Sequence, residues 1–181
     1  NNFKYPDKVR ASHILIMADE KSIRDAIQSG NKKLSKEQVD EKVKDELNKK
    51  LAKAQQLLAQ LKADPTKFAK LAKDNSDDTV SAKQGGDLGF FAYEEMVPQF
   101  SQAAFSQKPN VIGEIVRTDY GYHIIMVTDR MKAGIEPFDK VKFQLKNYLE
   151  QQEKTQLLQK FVENVKNTAK IEYIDNSYNP E

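Results

Sequence analysis

The chain has 181 residues and is 31% charged, yet 29 basic and 27 acidic side chains leave a formal net charge of only +2. That balance argues against nucleic acid as a partner, and no apolar run approaches the ~18 residues of a membrane span. The absence of cysteine excludes disulfides, thiol nucleophiles and zinc–thiolate sites, and two histidines are too few for a histidine-built metal centre, so no cofactor is expected.

The length suits one domain, or one domain with an appendage. The polar opening, NNFKYPDKVR, does not read as a signal peptide. Residues 9–17, VRASHILIM, are β-branched and apolar and predict a buried strand, with His13 in its middle. Residues 18–34 are mixed and polar, broken at Gly30-Asn31, and no element is assigned to them. A helix is expected from Ser35, because SKEQ is a capping box with Gln38 three residues after the cap. Its apolar stripe runs through Val39, Val43, Leu47, Leu51, Ala54, Leu58 and Leu61. Asp64-Pro65 ends that helix and opens another, to about Asp74, with Phe68, Leu71 and Ala72 facing inward.

NSDDTVSAKQGG reads as a loop by composition, and DLGFF as a short strand. Three of the seven glycines, Gly85, Gly86 and Gly89, crowd into this stretch. No phosphate-loop pattern surrounds them, so a tight turn into a strand is the plain reading. Residues 94–108 predict short helical turns around Pro98. Residues 111–118 and 121–130 alternate like half-buried strands, with Asp119-Tyr120-Gly121 as a hairpin turn between them. Pro137 opens an amphipathic helix of about thirty residues, whose stripe includes Phe138, Val141, Leu145, Tyr148, Leu158, Phe161 and Val165. The end holds a brief strand-like IEYI and a loose tail.

Taken singly, the special residues have plain explanations. His13 and His123 read as core histidines, Met96 and Phe100 as helix contacts four apart, and Asp77 and Asp78 as loop caps. Taken together and in order, VRASHIL, FAKLAKDNSDD, SAKQGGDLGFF, MVPQF and TDYGYHIIMV resemble the parvulin family of peptidyl-prolyl cis/trans isomerases. The resemblance covers nearly all of residues 9–130.

It implies an α+β parvulin fold: a four-stranded antiparallel sheet flanked by helices, with an extended first helix and a long C-terminal helix. The chain then divides into a lead-in (1–8), a parvulin domain (9–131) and a C-terminal helix and tail (132–181). By resemblance, His13, Asp78 and His123 are catalytic. The two histidines stack and share a hydrogen-bond network in which Thr118 bonds one of them. Leu88, Met96 and Phe100 hold the proline ring, and Thr118 and Tyr120 complete the substrate-binding set. Phe100→Ala is expected to cost activity with little loss of fold. About thirty extra residues lengthen the region after the first strand relative to a compact parvulin. Asp78 stands where some members carry cysteine, which excludes a thiol mechanism. The segment ADEKSIRD after His13 is mixed in charge, so no phosphate requirement is expected.

The long terminal helix makes the chain similar to the extracytoplasmic PrsA and SurA-like foldases. In these a parvulin domain is inserted in a helical chaperone domain built from both flanking segments. The resemblance implies that 136–175 is the C-terminal half of such a domain and that its N-terminal half lies outside this chain. It also implies self-association through the exposed helix face, a periplasmic or cell-surface location, and proline-containing unfolded or exported polypeptides as partners. The alternative is a non-catalytic peptide-binding chaperone on the same scaffold. Dependence on proline separates the two.

Overall fold

A computed structural model describes residues 3–169. Residues Tyr5–Gly134 form one compact unit, and the long helix after Ile135 belongs to a second. Two short strands, β1 (Lys4–Tyr5) and β6 (Gly134–Ile135), pair separately from the main sheet. That sheet is antiparallel, with order β3-β2-β5-β4. Its members are β2 (Lys8–Met17), β3 (Asp87–Ala92), β4 (Val116–Thr118) and β5 (Gly121–Met131).

The apolar run 9–17 becomes the inner strand β2 because both of its faces are covered. Ile14 and Ile16 pack with Ile124 against Ala54, Leu57, Leu61 and Phe68 of the helices on one face. Val9 and Ala11 pack with Ile125 and Val127 against Phe91, Phe100 and Ala104 on the other. Ile14, Ile16, Ile124 and Ile125 are fully buried, each contributing about 1.5–3 kcal/mol of apolar transfer. Side chains alternate along a strand, so His13 and His123 point to the second face, opposite the helices that cover Ile14 and Ile124.

Helix α2 (Lys36–Ala63) starts at Ser35 with both capping-box bonds present, Gln38 N–H to Ser35 Oγ and Ser35 N–H to Gln38 Oε1. Its buried stripe includes Leu57, while Leu47 and Leu51 are only half-buried. The segment 18–34, left without an element by the sequence reading, contains α1 (Glu20–Gly30). Asp19 caps it by accepting from Lys21 N–H at 3.0 Å, and Arg24 ties it to α2 through Asp40. The extra residues thus make two helices.

After Asp64 comes a 3₁₀ turn, Pro65–Lys67, and then α3 (Phe68–Asn75). The segment read as loop contains one helical turn, α4 (Thr79–Ala82). A second 3₁₀ turn, Tyr93–Glu95, precedes α5 (Pro98–Ser106). The strand expected over 111–118 forms only at its end, as β4. Upstream, Ile112 makes an isolated bridge to Met126. There Gly113 N–H and the Gln107 side chain both donate to Ile125 O, at 3.0 and 2.9 Å, and the register shifts by one residue before Val116 pairs with His123.

In the second unit, α6 (Phe138–Thr168) follows Pro137. Of its expected stripe Val141 is buried, whereas Phe138 is 61% and Phe161 64% exposed. Among the described residues no helix is long and apolar enough to cross a membrane. The IEYI segment lies outside the described residues.

Candidate active site

The glycine cluster is answered by the backbone of His13. Gly85, Gly86 and Gly89 have φ of +73°, +86° and +69°, a region that side chains disfavour. Gly86 O accepts the His13 N–H at 2.9 Å, and a Cβ on Gly86 would lie 2.3 Å from His13 O. The chain therefore passes against β2 at a distance only glycine permits. Beyond that point the acidic loop takes over the free edge of β2. Ser76 Oγ accepts Leu15 N–H at 3.0 Å, Asp77 N–H donates to Leu15 O at 2.7 Å, and Asp77 Oδ2 accepts Met17 N–H at 2.7 Å.

This clasp fixes the next residue, Asp78. It is the N-cap of α4, accepting Val80 N–H at Oδ1 (3.1 Å) and the Ser81 hydroxyl at Oδ2. The same Oδ2 lies 2.8 Å from His13 Nε2. His13 Nδ1 lies 3.3 Å from His123 Nδ1, and His123 Nε2 lies 2.8 Å from Thr118 Oγ1. Thr118 Oγ1 in turn accepts Tyr120 N–H at 3.2 Å.

One proton arrangement satisfies every link. A carboxylate only accepts, so His13 Nε2 carries hydrogen and donates to Asp78. A neutral His13 then accepts at Nδ1 from the Nδ1–H of His123. His123 Nε2 is left as acceptor for the Thr118 hydroxyl. The chain of donors runs one way, from Tyr120 N–H through Thr118, His123 and His13 to Asp78.

The electrostatics agree with neutral rings beside an anion. Burial, and after it the charge of His13, pushes the His123 imidazole down to about 4. Burial also lowers His13, outweighing the hydrogen bond and charge of Asp78. Burial alone would raise Asp78, but the hydrogen bonds from Ser81 and His13 prevail and hold it at about 2.

Phe100 stands on edge to both imidazoles, with centroids 5.7 Å from His13 at 82° and 5.4 Å from His123 at 80°. The histidine rings are 20° from parallel, with centroids 5.5 Å apart. Next to them opens a cavity of about 300 Å³ lined by His13, Asp78, Leu88, Met96, Phe100, Tyr120 and His123. Leu15, Glu95 and Val97, absent from the sequence reading, also line it. Leu15 was legible as the strand neighbour of His13 on the same face, two residues on. Thr118, expected among the substrate-binding residues, is 4% exposed and lies behind His123, off the cavity wall. Its hydroxyl is used up within the hydrogen-bond chain, between His123 Nε2 and Tyr120 N–H.

Residues 1–131 match the family described as the PPIC-type PPIase domain. The chain belongs to that family. The foldase protein PrsA of Geobacillus sp. (strain WCH70) is 35% identical to this PPIC-type chain over 172 residues, 94% of the chain and 50% of the relative. The putative peptidyl-prolyl cis-trans isomerase Cbf2 of Campylobacter jejuni (strain 81-176) is 35% identical over 176 residues, 96% of the chain and 55% of the relative.

A solved structure from work on PEB4 and Cj1289, two SurA-like chaperones of Campylobacter jejuni, superposes with a TM-score of 0.58 at 32% identity. That match covers 95% of this chain and 58% of the other. The isomerase ESS1 from Candida albicans superposes at 0.51 with 26% identity, covering 67% of this chain and 63% of its own. The PPIC-type chain spans about half the length of the curated relatives it matches. The family match agrees with the parvulin motifs, and the four-stranded antiparallel sheet with flanking helices is the fold that the resemblance implies.

Proposed function

We propose that the chain catalyses cis/trans isomerisation of X-Pro bonds in unfolded or exported polypeptides, outside the cytoplasm, as a PrsA- or SurA-like foldase. The observation that carries this is the apolar cavity of Leu88, Met96 and Phe100 set directly against His13, His123 and ionised Asp78. In this reading the three apolar side chains hold the proline ring and Tyr120 rims the pocket. His13, His123 and Asp78 face the amide, and Thr118 orients His123.

Rotation about a peptide bond meets a barrier of ~18–20 kcal/mol, because resonance keeps the amide planar. Uncatalysed X-Pro exchange therefore takes ~10–100 s. No covalent step is needed to shorten it. The site has only to bind the twisted amide better than the planar one. Twisting uncouples the nitrogen lone pair from the carbonyl and makes the amide less polar, which a largely apolar cavity favours. The two neutral imidazoles, their nitrogens bonded to each other, to Asp78 and to Thr118, wall the amide's side of the cavity without adding a second net charge.

The relatives' names, foldase and SurA-like chaperone, support polypeptide clients and an extracytoplasmic setting. We assign isomerisation to residues 9–131 and read 132–181 as part of a chaperone-type domain. The exposed apolar side chains of α6 support that second reading and make self-association part of it. The test is NMR exchange spectroscopy on an Ala-Pro peptide with the chain present. Cis–trans cross-peaks that fade in Met96→Ala support the site. Binding shifts without exchange would replace the enzyme by a peptide-binding chaperone.

A further inference from the structure

A second groove opens at the end of β2, two residues beyond the last strand residue that lines the first. His13 and Leu15 line the cavity described above, and Met17, the next residue on the same strand face, lines another of about 410 Å³. Ile23 and Ala26 of α1 face the same space, together with Lys50, Asp19 and Asp77. The carboxylates there are already engaged. Asp19 accepts Lys21 N–H at 3.0 Å and the Ser22 hydroxyl at 2.6 Å, and Asp77 accepts Met17 N–H at 2.7 Å. What remains beside Lys50 is the apolar lining of Met17, Ile23 and Ala26, with Met17 49% exposed at the end of the inner strand.

The two grooves have no lining residue in common, but neighbouring residues border them. Asp77 lines the second and Asp78 the first, and they are consecutive residues of the loop that clasps β2. Tyr120 lines the first cavity while its carbonyl accepts Ala18 N–H at 3.0 Å, next to Met17. From His13 to Met17 is four residues of strand, ~13 Å at ~3.3 Å per residue. An extended polypeptide with its proline in the first cavity covers that distance in about four residues.

We propose that this groove is a second subsite of the isomerase, taking a bulky aliphatic or aromatic side chain of the substrate within about four residues of the proline. The helix α1, part of the extra sequence after β2, supplies its far side. Clients are thereby selected for an apolar residue near X-Pro. The inference rests on the isomerase reading, since it treats the first cavity as the proline site.

The experiment uses the full chain and a series of Gly-rich peptides, each with one Ala-Pro and one leucine moved stepwise along either side of it. NMR titration reads affinity from shifts and turnover from cis–trans exchange in the same samples. One leucine position should bind roughly tenfold tighter than the all-glycine flank, the effect of about 60 Å² of apolar surface leaving water. Ile23→Ser, which removes part of the lining, and Ala26→Arg, which fills the groove from an exposed helix position, should each bring that ratio toward one. A ratio near one in the unaltered chain overturns the subsite. So does a high ratio that survives both variants. Loss of exchange with the leucine preference intact would overturn the isomerase reading and leave the apolar subsite standing.

Discussion

The Nδ1 atoms of His13 and His123 face each other across 3.3 Å, and only one of them can carry the hydrogen between them when both rings are neutral. Asp78 at one end and Thr118 at the other decide which. The anion claims the His13 Nε2–H, so the shared hydrogen belongs to His123.

Thr118→Val tests that direction. It keeps the side-chain shape but removes the donor to the buried His123 Nε2 and the acceptor for Tyr120 N–H, which is only partly buried. Leaving such groups unpaired costs about 1–3 kcal/mol. Imidazole ¹⁵N spectra of the unaltered chain should show His13 protonated at Nε2 and His123 at Nδ1, and the variant should lose the second signature. A neutral His123 protonated at Nε2 in the unaltered chain would contradict the chain of donors.

Acid should loosen the fold through the same pair. His123 is lowered from 6.5 to about 4 by burial, so the unfolded chain takes up its proton first. The stability held by the neutral ring is complete above pH 6.5 and is lost as pH falls toward 4, by roughly 3 kcal/mol. Asp78, held at about 2, stays ionised through that window. Thermal melts between pH 7 and pH 4 should fall steadily, and His123→Gln should flatten the fall. A flat profile in the unaltered chain would mean that the rings are not buried and neutral.

Phe100→Ala should unsettle the fold as well as the site, contrary to the sequence reading. Phe100 is 3% exposed and packs with Phe91, Ile125 and Val127 as part of the core, so truncation costs about 3–5 kcal/mol. Met96 is only half-buried and lines the cavity. Met96→Ala should therefore lower isomerisation while retaining most of the melting temperature, whereas Phe100→Ala lowers both. Full activity in Met96→Ala would remove it from the pocket wall.

Two neighbouring glycines should behave differently. Gly86→Ala places a methyl 2.3 Å from His13 O at φ +86°, forcing the loop off β2 at more than about 2 kcal/mol. Gly89 has φ +69° but open space around its Cβ position, so Gly89→Ala costs only about 1 kcal/mol. Urea titration of the two variants checks the order. Equal losses would show that backbone strain, not the close approach to His13, sets the need for glycine.

Where the sequence was legible, the signal was local. The capping box at Ser35 and Gln38, the Asp64-Pro65 helix start and the β-branched run 9–17 each depend on neighbours a few residues away, and each formed where expected. The helix at 20–30 carried such signals too, with Asp19 as cap and Ile23, Ala26 and Ile27 at helical spacing, but polar neighbours obscured them. The turn at 79–82 had no pattern of its own. It exists because Asp78 caps it while held against β2. The strand at 111–118 is interrupted by a register shift, since Ile112 pairs with Met126 but Val116 with His123, four residues against three, which no alternation pattern shows.

By itself the sequence determined the helix caps, the inner strands, the need for backbone freedom at Gly85 and Gly86, and, through its motifs, the family. Those follow from intrinsic conformational preference and from apolar periodicity, which are written residue by residue. Only the tertiary structure decided that His13 and His123, 110 residues apart, share one hydrogen, that Thr118 stands behind the site rather than in it, and that Leu15 lines one groove and Met17 another. The physical reason is register. Pairing Leu15 with His123 across two antiparallel strands places side chains from distant segments on one face, and burial then fixes their protonation.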